Sequence, residues 1–269
     1  MPRAASRRLP LRSFAVYYGY GPLPGLERMD LAILEPAGWR PQDVQTLRQH
    51  GVRTLAYLSA MEVTGEVLRE AGLVPADLLR PGGRPWQKED LGVLVADPRS
   101  VRWRRHLQAR AQDLLAAGWD GLFLDTLGDV EDPLVAPMGG WLVPAAAELV
   151  RLIRGAAGDA LLVQNHGILL LLPLVAPYLD GICWESPPLG PVGREAWVGW
   201  ALENMAATAL HHRLPPLLVG LVPPGPEAST AVAALEALAT RYGGLAYSAP
   251  GDYTSGVRLP DGSVVVAAR

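Results

Sequence analysis

Cysteine is almost missing. Cys183 stands alone in 269 residues, so neither an internal disulfide nor a cysteine metal cage can form, and the redox compartment stays open. Lysine is as scarce: of 24 basic residues only Lys88 is one. It falls in a long Pro- and Gly-rich passage, away from any strand end, which disfavours a Schiff-base enzyme built on a strand lysine. Excess charge is also missing. A net charge of −3 gives no electrostatic basis for binding nucleic acid or an anionic membrane. No apolar run reaches the ~18 residues needed to span a bilayer, so no membrane insertion is expected. A phosphate-binding turn is absent too, because Gly19-Tyr-Gly21 is followed by prolines and not by a helix.

Hydrophobic residues make up 49% of the chain, ample for a core, and the length suits two ordinary domains or one α/β barrel. Residues 1–13 carry Arg3, Arg7, Arg8 and Arg12 with no apolar segment behind them. They read as a disordered arm without a secretory signal. From residue 14 onward short apolar runs alternate with amphipathic stretches. Strands are expected at 14–20, 31–35, 54–59, 122–124, 161–164, 182–185, 217–222 and 245–248. Helices are expected at 41–50, 101–117, 144–154, 168–178, 194–212 and 228–242. The passage Met61 to Asp97 reads as a long loop with one short helix near 66–71. A terminal hairpin, 256–265, turns at Asp261-Gly262. Eight strands separated mostly by helices imply parallel neighbours, since these need crossovers. With no linker interrupting the pattern, the expected architecture is one α/β domain over 14–269, a single (β/α)8 TIM barrel with a C-terminal β-hairpin. An open doubly wound sheet is the alternative.

Within that pattern one unit recurs. Asp120-Gly-Leu-Phe-Leu-Asp125 is echoed sixty positions later by Asp180-Gly-Ile-Cys-Trp-Glu185, and earlier by Asp30-Leu-Ala-Ile-Leu-Glu35. Each apolar strand ends in an acid five residues after an aspartate, and each Asp-Gly reads as a turn. In a barrel the active site lies at the carboxyl ends of the strands, and alternate strands supply each layer of inward side chains. Glu35, Asp125 and Glu185, ending strands two, four and six, should therefore meet at one mouth. Of five histidines only His166 follows a strand, which disfavours a zinc centre; a Mg2+ site of acids stays open. Two carboxylates suffice for a glycosidase, without choosing between retention and inversion. A non-catalytic barrel that binds cationic sugars through the same acids is the alternative. Tyr17, Tyr57 and Tyr247 on strands, Asn165 and His166 after strand five, and Asp252 after strand eight are further pocket candidates. Trp39, Trp86 and Trp141 fall in loops, where indoles either stack on sugars or anchor the loop.

Several of these segments together resemble a known family. Tyr57-Leu-Ser-Ala-Met-Glu62, the strand ending in Asp125, Gln164-Asn165 and Trp184-Glu185 are similar, in order and spacing, to glycoside hydrolase family 114, the endo-α-1,4-polygalactosaminidase-like TIM barrels. The likeness runs over most of the chain. It implies cleavage of α-linked, galactosamine-rich polysaccharide by Asp125 and Glu185, with Asp125 as nucleophile and Glu185 as acid/base. It adds Glu62 to the substrate-binding candidates. It also implies a polysaccharide or oligosaccharide partner, no cofactor, a monomer, and an extracytoplasmic setting.

Overall fold

The computed structural model describes residues 11–187, 196–222, 225 and 227–267. Eight strands form one parallel sheet: β1 (Phe14–Tyr17), β2 (Leu31–Leu34), β3 (Arg53–Ser59), β4 (Gly121–Asp125), β5 (Leu161–Asn165), β6 (Gly181–Glu185), β7 (Pro216–Val222) and β8 (Leu245–Pro250). Each pairs with the next in chain order, the neighbour sequence of a (β/α)8 barrel. No ladder joins β1 to β8 among the described residues. That seam is closed by the Phe14 ring, 5.7 Å from Tyr247, and by the Tyr18 N–H donating to the Tyr253 carbonyl at 2.6 Å.

The helices are α1 (Pro41–Gln49), α2 (Gly65–Glu70), α3 (Val101–Ala116), α4 (Leu142–Ala157), α5 (Leu172–Val175), α6 (Ala196–His212) and α7 (Ala228–Arg241). α3 shows why they form. The Ser100 hydroxyl accepts the Trp103 N–H at 3.1 Å and caps the first turn. Trp103, Leu107, Ala111 and Leu114 are buried, one stripe at helical spacing. Gly118, at φ 102°, turns the chain toward β4. None of the described helices is long and apolar enough to cross a membrane.

The structure departs from the sequence expectation in three places. Only Leu172–Val175 is α-helical after β5, followed by a 3-10 turn at Ala176–Tyr178, because Pro173 and Pro177 interrupt the run. The passage 61–97 holds α2 and also a three-stranded antiparallel sheet of Glu62–Val63, Val93–Val95 and Gln87–Lys88, the last at an edge. Strands of two or three residues carry no readable period. In the N-terminal arm, residues 1–10 lie outside the described part, while Arg12 and Ser13 donate their N–H groups to Asp30 at 2.6 and 3.1 Å. Residues 194–195 of the expected helix at 194–212 also lie outside it.

The recurring aspartates are not turn residues. They stand at the amino ends of β2, β4 and β6 and pin each strand to the one before it. Asp120 accepts the Thr54 N–H at 3.0 Å and its hydroxyl at 3.1 Å, while its own N–H donates to the Thr54 carbonyl at 3.0 Å. Asp180 repeats this on Leu162, at 3.0 Å through the side chain and 2.7 Å through the backbone. Arg154 completes the Asp180 site with an ion pair of 2.7 Å. Gly121 allows the strands to approach, since a Cβ there would lie 2.2 Å from the Leu161 carbonyl oxygen. Register in a parallel sheet is set once and carried along the strand, so these carboxylates fix what arrives at the opposite end.

Asp180 is 4% exposed, and removing one partner of a buried pair leaves the other uncompensated. Asp180→Ala should lower unfolding free energy by about 3–5 kcal/mol in a urea titration; a loss below about 1 kcal/mol contradicts this role.

Candidate active site

At the carboxyl ends of the strands lies a cavity of about 700 Å³ whose lining includes Tyr57, Glu62, Lys88, Asp125, Asp129 and Glu185. Its centre is built by three consecutive strands. Asn165, fully buried at the end of β5, directs its amide nitrogen between the acids of β4 and β6. It donates to Asp125 Oδ1 at 2.8 Å and to Glu185 Oε2 at 3.0 Å. Both contacts start from one nitrogen, so the two carboxylate oxygens lie at most about 6 Å apart, below the ~6.5–9.5 Å of inverting glycosidases.

The chain leaves all three strand ends in the same way. Thr126, His166 and Ser186, which directly follow Asp125, Asn165 and Glu185, have φ of 66°, 57° and 51°. Side chains with a Cβ rarely adopt that conformation, and it persists where surrounding contacts impose it. Here they do: the Thr126 hydroxyl accepts the Met61 N–H at 2.8 Å and the Glu62 N–H at 3.2 Å. The His166 N–H donates to the Cys183 carbonyl at 3.0 Å, and the Ser186 N–H to that of Val219 at 2.7 Å. Each bend turns the backbone aside at the strand end and leaves the preceding polar side chain over the mouth.

Tyrosines surround the pair. The Tyr57 hydroxyl lies beside Asp125. Tyr18 packs its ring 5.0 Å from that of Tyr57 and 5.5 Å from that of Tyr253. The Tyr253 hydroxyl lies beside Glu185 without making a hydrogen bond of regular geometry. Burial, followed by the neighbouring acids, pushes the pKa of all three phenols up, so they remain neutral proton donors at any working pH. Burial and then Glu185 and Asp125 also raise the Cys183 thiol, which keeps it protonated and unreactive.

A second charged group adjoins the first. Lys88, on the edge strand of the small sheet, donates to both Glu62 and Asp129. Burial pushes Asp129 up to about 7 even though Lys88 opposes the shift. The Glu131 carboxylate accepts the N–H groups of Leu169, Leu170 and Leu171 at 2.7–3.1 Å, tying the loop after β5 to the one after β4. Among the described residues no group of three or more His, Cys, Asp or Glu side chains is placed to hold a metal ion.

Of the residues expected from sequence, Asp125, Glu185, Tyr57, Glu62, Asn165 and His166 come together at this cavity. Four do not line it. Glu35 bends back to accept the Ala37 N–H at 3.0 Å, capping its own turn at Pro36. Tyr17 packs on the opposite side of the sheet, edge-on to Trp39 with centroids 6.4 Å apart; its neighbour Tyr18 has the inward parity. Tyr247 lies deeper, against Phe14. Asp252 accepts from the backbone and hydroxyls of Thr254 and Ser255, which pull its pKa down to about 2; it braces the loop that carries Tyr253. Lys88, Asp129 and Tyr18 are not among the pocket candidates that the sequence offers. Strand parity would have found Tyr18, and Asp129 stands one turn beyond Asp125. Trp39 and Trp86 are 8% exposed and Trp141 lies under the Arg99 guanidinium at 3.5 Å, so all three anchor loops. The indoles that line the cavity are Trp184 and Trp197, with ring centroids 6.3 Å apart.

The Asp129 pKa also has a consequence for stability. Its folded pKa of about 7 lies above the ordinary 3.8, so its contribution to stability is full below about pH 4 and is lost as pH rises to about 7. Asp129→Asn should abolish that loss relative to wild type, read from urea unfolding at several pH values; parallel curves for the two proteins contradict it.

No family model matches the chain, and no curated protein matches it either. Solved structures do. The glycoside hydrolase domain of PelA from Pseudomonas aeruginosa is similar with a TM-score of 0.73 and 24% identity, over 90% of this chain and 96% of that one. Aspergillus fumigatus Ega3, in complex with galactosamine, is similar with a TM-score of 0.74 and 10% identity, over 99% and 100%. TtGalA, an alpha-galactosidase from Thermus thermophilus, gives 0.57 and 19% over 97% of this chain, which spans 61% of that longer protein. What the chain shares with them is its fold, the barrel expected from its eight strand units; two of the three, the PelA domain and TtGalA, are described as a glycoside hydrolase and an alpha-galactosidase.

Proposed function

We propose that this protein is a retaining glycoside hydrolase that cleaves α-linked, galactosamine-rich polysaccharide. The observation that carries the reading is the Asn165 fork, which holds two carboxylates from β4 and β6 at a separation suited to double displacement. Asp125 accepts from Asn165 and lies beside the Tyr57 hydroxyl, two contacts that aim it as the nucleophile. Glu185 is the acid/base. In the first step Asp125 attacks the anomeric carbon, the glycosidic bond breaks, and Glu185 gives its proton to the departing oxygen. In the second, Glu185 takes a proton from water, the water oxygen attacks the anomeric carbon, and Asp125 is released. Tyr18, Tyr57 and Tyr253 exclude water from the wall behind the pair and present neutral hydroxyls or ring faces to the sugar. No cofactor enters this scheme.

The sugar assignment rests on two supports. The cavity is lined by Glu62, Asp125, Asp129, Glu131 and Glu185 against a single lysine, an electrostatic match for a polymer carrying ammonium groups. Ega3, a structural neighbour, is described in complex with galactosamine.

Asp125→Asn and Glu185→Gln should each lower kcat on α-1,4-galactosamine oligomers by about 10³-fold or more, with unchanged unfolding midpoints. On p-nitrophenyl α-galactosaminide, whose leaving group needs no protonation, glycosylation should survive in Glu185→Gln as a burst and fail in Asp125→Asn. Full activity in either variant overturns the assignment.

A further inference from the structure

The only lysine of an arginine-rich chain sits with its ammonium inside the catalytic cavity. Its nitrogen donates to Glu62 Oε1 and Asp129 Oδ1 and lies 5.5 Å from the centre of the Trp86 ring. Burial works against the charge on Lys88, but the hydrogen bonds to Asp129 and Glu62 outweigh it and hold its pKa above the usual value. The two acceptors belong to different parts of the molecule, Glu62 to the small sheet and Asp129 to the turn after β4. Asp129 is the more enclosed, with an 8% exposed side chain and a second oxygen, Oδ2, that has no partner. This pair therefore already houses a primary alkylammonium, one turn of chain beyond the proposed nucleophile Asp125.

We infer that Glu62 and Asp129 form a receptor for a primary ammonium group of the substrate, and that Lys88 fills it until that group takes its place. The inference rests on the hydrolase reading and deepens it. An amino sugar with a free amine brings the same –NH3+ that Lys88 provides, so hydrogen bonds and charge exchange one for one. The departing side chain is long and flexible and belongs to an edge strand flanked by the exposed Gln87, Glu89 and Asp90, so its head group reaches water easily. A hydroxyl or an acetamido group cannot make this exchange. Expelling Lys88 would leave the Glu62 carboxylate without its cation and force Asp129, already raised to about 7, to take up a proton, which is unfavourable. Lys88 then stays and keeps the neutral sugar out, selecting by exclusion. The residue type fits this role: a guanidinium would grip both carboxylates in a rigid fork, whereas an ammonium is a compact charge on a mobile stem.

A single lysine makes the test direct. Biosynthetic 13C-lysine labelling gives one ε-CH2 signal in the NMR spectrum of the full chain. In Glu185→Gln, where oligomers bind uncut, an α-1,4-galactosamine trimer should move that signal to the position of a solvated lysine and return its titration toward the ordinary 10.5. The N-acetylated trimer should leave it in place and bind at least tenfold more weakly by calorimetry. Lys88→Met, in the same background, should bind the amine trimer as tightly as before or several-fold tighter. Binding of the amine trimer with an unmoved lysine signal overturns the inference while leaving the hydrolase reading intact, and so does a tenfold loss of affinity in Lys88→Met. If no amino-sugar trimer binds in either background, both fall together.

Discussion

Asn165 can reach Asp125 and Glu185 at once only because β4, β5 and β6 stand in fixed register. That register is set about 17 Å away, at a rise of roughly 3.3 Å per residue, by the Asp120 carbonyl accepting the Leu161 N–H and by Asp180 gripping Leu162. A slip of one residue would send every side chain of a strand to the other face, and the fork would be lost. The repeated unit is thus a device with two ends: an aspartate that locks the strand at the bottom and an acid delivered five residues later at the top. Stability sits at the amino face of the barrel and chemistry at the carboxyl face, the division of labour expected of this architecture.

Much of this could be read from the chain. Apolar runs bounded by glycine and proline located all eight strands, and the five-residue offset points to Asp125 and Glu185, which share the Asn165 amide. The same offset over-reached at Glu35. Pro36 follows it, and its carboxylate is drawn into capping the Ala37 N–H, a local contact no layer argument can see. The aspartates looked like turn formers because Asp-Gly is a common turn pair; their acceptor role depends on a neighbouring strand far away in sequence. At Tyr17-Tyr18 the alternation of the strand turns Tyr17 toward Trp39 and leaves Tyr18 beside Tyr57 and Tyr253. The place of Lys88 in the site was hidden for a different reason: its strand has two residues, and its partners lie 26 and 41 positions away.

Charge unifies the site. Five cavity carboxylates are held by separate means: Asp125 and Glu185 by Asn165, Glu62 and Asp129 by Lys88, and Glu131 by three backbone N–H groups. Enclosed acids without such donors would protonate or repel. The left-handed turns at Thr126, His166 and Ser186 keep three of the groups at the mouth, and the tyrosine wall dries one side of it. Backbone strain, hydrogen bonding and burial serve one arrangement, in which negative charge is concentrated and still accommodated.

The central claim is that the two acids are close enough for one to bond covalently to the sugar. The most direct measurement is 1H NMR of an α-1,4-galactosamine oligomer during its first minutes of cleavage, before the new reducing end mutarotates. An initial product in the α configuration is the expected result. A β product would mean that water attacks in a single step across a wider gap, which the Asn165 fork does not permit.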